Sequence, residues 1–302
     1  MKALVTGAAG FIGSTLAERL CEDGADVVGL DSFTDYYPRV LKERNLQCVQ
    51  RHARFRFVES SIQQADLESL LADRTHVFHL AAQAGVRKSW GRDFSAYTVN
   101  NIEATQTLLE ACRHQPLERL VYASSSSVYG DDVALPMRED ALPQPVSPYG
   151  VSKLAAEQLC YLYHVSYGVP AVSLRYFTVY GPRQRPDMGF HRFLRATLRG
   201  EPIPVFGDGE QTRDFTHVSD VVAANILAMD CEIADGRALN IGRGENVSVN
   251  RIAAMIGGPT VHREGRAGDM RDTLADRTEA ERVLGWRPRV SIEEGIADLL
   301  KH

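Results

Sequence analysis

Six short runs of β-branched and apolar residues punctuate the first 180 positions: KALVTG (2–7), DVVGLD (26–31), RFRFVES (54–60), HVFHLAA (76–82), RLVYASS (119–125) and AVSLRYF (171–177). Between them lie longer stretches such as FIGSTLAERLCEDG and NIEATQTLLEACRHQ, where apolar residues recur at three and four, the period of a helix with one buried face. Consecutive strands joined by a helix run parallel, and a parallel sheet must be covered on both faces. The alternation therefore predicts an α/β chain with a doubly wound parallel sheet. After about residue 178 the regularity fades into loops rich in Gly, Pro and Arg, which predicts a smaller C-terminal lobe. At 302 residues, with 44% hydrophobic and 24% charged residues, the chain is long enough for both.

The first run leads into TGAAGFIG, so Gly7, Gly10 and Gly13 fall at a strand-to-helix turn. Without side chains there, backbone N–H groups can approach a pyrophosphate at the helix N-terminus. Asp31 ends the second run, where an acid can accept hydrogen bonds from an adenosine ribose. Together these features predict a Rossmann-like dinucleotide-binding domain over residues 1–178. A later segment, about 205–235, is expected to return to it, and 179–302 is mainly a substrate lobe. DSFTD places no Arg directly after Asp31, so a 2′-phosphate would meet negative charge without a partner, and NAD is favoured over NADP.

SPYGVSK places Tyr149 and Lys153 four residues apart at the start of a helical pattern, hence on one helix face. A free phenol titrates near pH 10; an ammonium lowering it by about two to three units, roughly 3–4 kcal/mol, would make a base that works near neutrality. YASSSSVYG ends a predicted strand of the same sheet, at the carboxyl edge where open α/β sheets bind ligands. Taken alone, a Tyr and a Lys on one face are more often there for packing and solubility.

The formal charge of −5, with no long basic run, gives no footprint for nucleic acid or an anionic membrane. Cys21, Cys48, Cys112, Cys160 and Cys231 are far apart, neither a zinc pattern nor a secreted framework, and His217 and the other histidines form no metal-ligand grouping. Met1-Lys2 runs straight into ALVTG, and no apolar stretch reaches membrane-spanning length, so a cytoplasmic protein is expected.

GxxGxxG, Asp31, HLAAQAGVR, Asn101 before LLEA, the serine run and YxxxK together resemble the extended short-chain dehydrogenase/reductase family, the NAD-dependent nucleotide-sugar epimerases and dehydratases. The resemblance continues through RDFTHVSDVV and GDMRDTLAD, and HLAAQAGVRKS with RYFTVYGPRQRPDMGF most resembles the UDP-glucuronate 4-epimerases. It implies cofactor contacts from Gly7, Gly10, Phe11, Ile12, Gly13, Asp31, Ser32, Leu80, Ala81, Ala82, Gln83, Tyr149, Lys153 and Tyr176, with Asn101 ordering the site. Where the family usually carries an Asp toward adenine, this chain has Ser61, followed by Ile62.

The resemblance also selects Ser125 as the catalytic hydroxyl beside Tyr149. Tyr149 would take the proton of the sugar 4-OH while hydride leaves C4, and the resulting ketone would turn over before hydride returns to its other face. Family dehydratases and decarboxylases carry an acid just after the catalytic hydroxyl, whereas this chain has Ser126 and Ser127. A 4-keto uronate loses CO2 readily, so its carboxylate must be held; Thr178 and Arg185 are the candidates. Neutral-sugar epimerases commonly have Asn at position 178. PVFGDGEQTRDFTHVSD and REGRAGDMRDTLAD resemble the family's UDP clamps, with Val205, Phe206 and Gln211 toward the base, Arg213 and Arg266 toward the diphosphate and Asp269 toward the ribose. A homodimer is a family expectation. Rival readings are a UDP-glucose 4-epimerase, a dehydratase or decarboxylase, and a non-catalytic NAD sensor.

Overall fold

The structure is a computed structural model and describes residues 1–231, 235–265 and 270–301. Its strands are β1 (Lys2–Thr6), β2 (Asp26–Asp31), β3 (Phe55–Glu59), β4 (His76–His79), β5 (Arg119–Ser125), β6 (Ala171–Tyr176), β7 (Thr178–Tyr180), β8 (Ile203–Phe206), β9 (Thr212–His217), β10 (Ala238–Ile241), β11 (Asn246–Ser248) and β12 (Thr260–Arg263). The helices are α1 (Phe11–Glu22), α2 (Arg39–Leu46), α3 (Leu67–Leu71), α4 (Phe94–Tyr97), α5 (Ala104–Cys112), α6 (Pro148–Tyr167), α7 (Gly189–Leu198), α8 (Val218–Asp230), α9 (Val249–Ile256), α10 (Thr278–Leu284) and α11 (Ile292–Leu299).

Each of the six apolar runs forms a strand. The fourth is shorter than its run: after His79 the chain leaves the ladder, and residues 80–83 line a cleft instead. Among the described residues the main sheet has seven strands in the order β10-β6-β5-β4-β1-β2-β3, all parallel, which is the doubly wound arrangement. Alternate residues of β1 enter opposite cores. Ala3 and Val5 pack with Leu16 of α1 and Val222 of α8, whereas Leu4 packs with Val28, Leu108 and Leu120. Each fully buried Leu or Val contributes about 1.5–3 kcal/mol, so the inner strands, covered on both faces, are largely apolar, whereas the edge strand β3 exposes Arg56 and Glu59.

Register sets the carboxyl edge. Thr6 lies opposite both Leu30 and His79, and Ser125 lies opposite Tyr176, so the ends of β1, β2, β4, β5 and β6 share one rim. The smaller lobe is built from the β11-β9-β7 sheet and the β12-β8 pair, around a separate core that includes Tyr180, Phe190, Phe193, Ile203 and Phe215. Between β9 and β11 the chain returns to the main sheet, with α8 packed on α1 and β10 paired to β6.

Candidate active site

A cleft of about 210 Å³ runs along the carboxyl rim. It is lined by Gly7, Gly10, Phe11, Ile12 and Gly13 from the first turn, by Asp31, Ser32, Ser61 and Ile62 beyond β2 and β3, by Leu80, Ala81, Ala82 and Gln83 after β4, and by Tyr149, Lys153 and Tyr176. Gly7 has φ +72°, and a Cβ on Gly13 would come 2.1 Å from the Gly7 carbonyl oxygen, so the turn closes only without side chains. No side chain caps α1, which leaves its first-turn amides open to a ligand anion. Asp31 is held by its neighbours: Oδ2 accepts from Ala9 N at 3.1 Å and Oδ1 from Phe33 N at 2.8 Å, and lone pairs remain on both oxygens.

Asn101 does not line the cleft; it stands behind it. A π-helical segment, Thr98–Glu103, buries its amide, which accepts from Gln83 N at 2.7 Å and donates to Gln83 O at 3.1 Å and to Ser152 Oγ at 2.8 Å. It thereby ties the loop after β4 to α6. The Ser147 side chain caps α6 by accepting from Gly150 N at 3.1 Å, and Pro148 occupies the first turn where its missing N–H costs nothing. A Cβ at Gly150 would meet Ser127 O at 2.4 Å, so glycine is what allows the helix start to abut the serine turn.

The four serines divide into separate tasks. Ser124 Oγ turns inward and donates to Glu157 at 2.6 Å. Ser125 Oγ accepts from Ser127 N at 3.2 Å, and its hydroxyl lies beside Tyr149 in a shared cavity, where it favours the ionised phenol. Ser126 and Ser127 begin a 3-10 turn and line a second cavity. Burial pushes the Tyr149 phenol up from its usual value, and the pulls that bring it down come from the Ser125 hydroxyl and the Arg185 charge. Lys153 contributes differently from the sequence expectation. Its ammonium lies 4.4 Å from the Tyr122 ring centroid, and burial lowers it to about 7, opposed by Cys160 and Glu157, so the charge the expectation relied on is itself costly to keep.

The second cavity, about 260 Å³, shares Tyr149, Tyr176 and Arg185 with the cleft and adds Ser125, Ser126, Ser127, Thr178 and Arg213. Val205 is instead fully buried in the small-lobe core. Phe206 lies next to it, and its carbonyl accepts from Gln211 Nε2 at 2.7 Å, while Gln211 Oε1 is buried without a hydrogen-bond partner among the described residues. Arg266 and Asp269 lie outside the described residues.

Other residues at the site carried no motif that singled them out. Arg87 and Arg192 bring their guanidinium carbons to 5.7 and 5.1 Å from the Phe206 ring centroid. Burial, then the charges of Arg87 and Arg263, hold Arg192 below its ordinary value. Such a gathering of positive charge is a place for an anion, and GVRKS with the Arg spacing of α7 was its only sequence signal. Tyr36, Tyr37 and Lys42 also line the cleft from the loop after β2 and from α2. Among the described residues no group of three His, Cys, Asp or Glu side chains could hold a metal ion, and no helix is long and apolar enough to cross a membrane.

A UDP-glucuronic acid 4-epimerase from Bacillus cereus, crystallised with UDP-glucuronic acid and NAD, is 44% identical, with a TM-score of 0.95 over 99% of this chain and 97% of its own. A Bacillus subtilis protein named as an uncharacterized UDP-glucose epimerase is 44% identical over 99% of this chain and 96% of its own. The UDP-glucuronate 4-epimerase of Thermodesulfobacterium geofontis is 37% identical over 97% and 93%. Residues 3–242, which carry the glycine turn, the serine run, the Tyr149–Lys153 pair and Arg213, match one family over their whole length. The chain belongs to the NAD dependent epimerase/dehydratase family.

Proposed function

We propose that this chain is a NAD-dependent nucleotide-sugar 4-epimerase that interconverts UDP-glucuronate and UDP-galacturonate. The observation that carries the reading is the meeting of Ser125, Tyr149 and Arg185 in a cavity that opens into the dinucleotide cleft. The UDP-glucuronic acid and NAD bound to the Bacillus cereus enzyme support the same pair of ligands here.

The cleft fits NAD. The uncapped amides of α1 would receive the pyrophosphate, Asp31 would accept from the adenosine ribose, and Tyr149 with Lys153 would hold the nicotinamide ribose. When bound, NAD supplies a reversible two-electron acceptor for hydride at sugar C4. Tyr149 Oη takes the proton of the sugar 4-OH and gives it back, and the Ser125 hydroxyl steadies the phenolate between the two transfers. Arg185 lowers the cost of that phenolate by charge. Thr178 and Arg185 hold the sugar carboxylate charged and fixed, which keeps the keto acid from losing CO2. Ser126 and Ser127 offer hydroxyls and no acid, so nothing there expels water.

Arg213 at the second cavity, with Arg87 and Arg192 beside Phe206, would take the diphosphate, and the buried Gln211 Oε1 is an acceptor available to the uracil. A homodimer is supported by α6, on which Val151, Gln158, Leu162 and Val165 are exposed along one face at helical spacing. The absence of disulfides among the five cysteines fits a cytoplasmic location.

The test is incubation of purified protein with UDP-glucuronate, following C4 configuration by NMR alongside CO2 release. Inversion without gas is the expected result, and Tyr149→Phe should slow it by about 10²- to 10⁴-fold, the share a positioned acid–base group contributes. A pentose product would replace the reading with a decarboxylase, and inversion of UDP-glucose alone would replace it with a neutral-sugar epimerase.

A further inference from the structure

Arg185 meets a partner that sequence patterns did not single out. Its Nε donates to Asp187 Oδ1 at 3.0 Å and its Nη2 to Asp187 Oδ2 at 3.1 Å, a side-on pair that uses one edge of the guanidinium. Nη1 and the second proton of Nη2 are left for a ligand. Asp187 itself lines neither cavity; it sits at the solvent rim and acts on the site only through what it touches. A third residue fixes it: Tyr36 donates its hydroxyl to Asp187 Oδ2 at 3.1 Å. The Tyr36 ring is held in turn between cations, with the Arg185 guanidinium carbon 5.6 Å and the Lys88 ammonium 4.8 Å from its centroid. Tyr36 belongs to the loop after β2 and lines the dinucleotide cleft, whereas Arg185 and Asp187 follow β7.

We propose that Asp187 and Tyr36 form a brace that fixes the Arg185 fork for a sugar carboxylate, so that sugar choice is set in part from the wall of the cofactor cleft. The inference rests on the uronate reading given above. An unbraced arginine has several torsions to immobilise before its fork can meet a carboxylate in the plane, and a carboxylate already seated on the opposite edge removes that freedom. Asp187 is thus a positioning residue. Were it simply a competitor for Arg185, its loss would improve uronate binding, and the brace requires the opposite sign.

The experiment measures kcat and KM for C4 inversion of UDP-glucuronate and of UDP-glucose in the wild type, Asp187→Ala, Asp187→Asn, Tyr36→Phe and Arg185→Ala. The brace predicts that Asp187→Ala lowers the uronate-to-glucose ratio of kcat/KM by at least about tenfold, chiefly through KM, because an ionic bidentate contact is lost from Arg185. Asp187→Asn, which keeps one acceptor, falls between it and the wild type. Tyr36→Phe removes a single hydroxyl and lowers the ratio by about two- to fivefold, the share of one hydrogen bond; it carries the test if Asp187→Ala does not fold. Ratios in both variants within twofold of wild type, or a rise in either, overturn the brace. If Arg185→Ala cripples uronate turnover while the Asp187 and Tyr36 variants do not, the brace alone fails. If the wild type inverts UDP-glucose and leaves UDP-glucuronate untouched, the uronate reading fails and takes the brace with it.

Discussion

At the scale of single residues, the site shows how a neutral buried base differs from a catalytic one. His79, at the end of β4, is almost wholly buried, with Nδ1 2.8 Å from Thr6 Oγ1 and Nε2 2.9 Å from Thr105 Oγ1. Thr105 already donates to Asn101 O and Thr6 already accepts from Ala81 N, so the network assigns the ring proton to Nε2 and a lone pair to Nδ1. Burial, helped by the Lys153 charge, pushes the imidazole down to about 3. An unfolded histidine titrates near 6.5, so between those values the unfolded chain binds the extra proton and stability falls as pH falls. His79→Gln keeps a donor and an acceptor without titrating. Between about pH 7.5 and 5, the wild type should lose about 2 kcal/mol more unfolding free energy than His79→Gln, read from urea curves at each pH. Equal losses would mean that the ring is hydrated and its proton free to bind. His79 also marks where sequence reasoning stops. Tyr149, Lys153 and Asp31 carry spacings tied to chemistry, whereas Tyr36, Asp187 and the Arg87–Arg192 pair become neighbours only through contacts far apart in the chain.

Elements were more legible than their partners. The six strands of the first 180 residues declared themselves because the inner strands of a parallel sheet are covered on both faces, which makes their runs largely apolar, while β3 at the edge still carries Phe55, Phe57 and Val58 among polar residues. β10, a four-residue strand of the C-terminal half, belongs to none of those six runs and is identified by its pairing with β6. α6 was legible from its start: Ser147 caps it, Pro148 begins it and Gly168 ends it in the left-handed conformation. Its Gly150 is a local contradiction, since alanine would favour the helix by about 1 kcal/mol. The contradiction resolves at the contact, where an added Cβ would press on Ser127 O at 2.4 Å and on Pro145 Cβ at 2.8 Å. Gly150→Ala should therefore leave helix content by circular dichroism intact while shifting the α6 start off the serine turn. Turnover should fall by about a hundredfold, the cost of roughly an ångström of misplacement at the reacting groups. Turnover at the wild-type rate would show that the close approach of α6 to Ser127 has no bearing on catalysis.

At the scale of the whole molecule, the substrate cavity exists only if the small lobe is held against the sheet, and buried carboxylates make that connection. Asp220 in α8 accepts from Arg289 N and Val290 N, both at 3.0 Å, while the buried Trp286 donates its indole N–H to the Asp220 carbonyl, which draws the chain before α11 onto the main sheet. Asp214 in β9 does more. Its carboxylate, wholly inaccessible, accepts from Arg243 N at 2.6 Å, Gly244 N at 2.8 Å and Ala275 N at 3.1 Å. The first two amides follow β10 of the main sheet, and the third belongs to the segment that bridges to Met137, so one side chain joins the lobe strand to two other stretches of chain. Asp214→Ala leaves three amides without that acceptor at roughly 1 kcal/mol or more each, so the urea midpoint should report a loss of about 3 kcal/mol or more. The neighbouring Arg213 faces the cavity from the same strand, so the variant should also respond less to UDP. In the wild type, UDP at about a hundred times its Kd should add about 2.7 kcal/mol, because it binds the folded state alone. A loss below about 1 kcal/mol in Asp214→Ala, with the UDP response intact, would mean that the lobe is seated by its apolar contacts and that the carboxylate only fills the gap between strands.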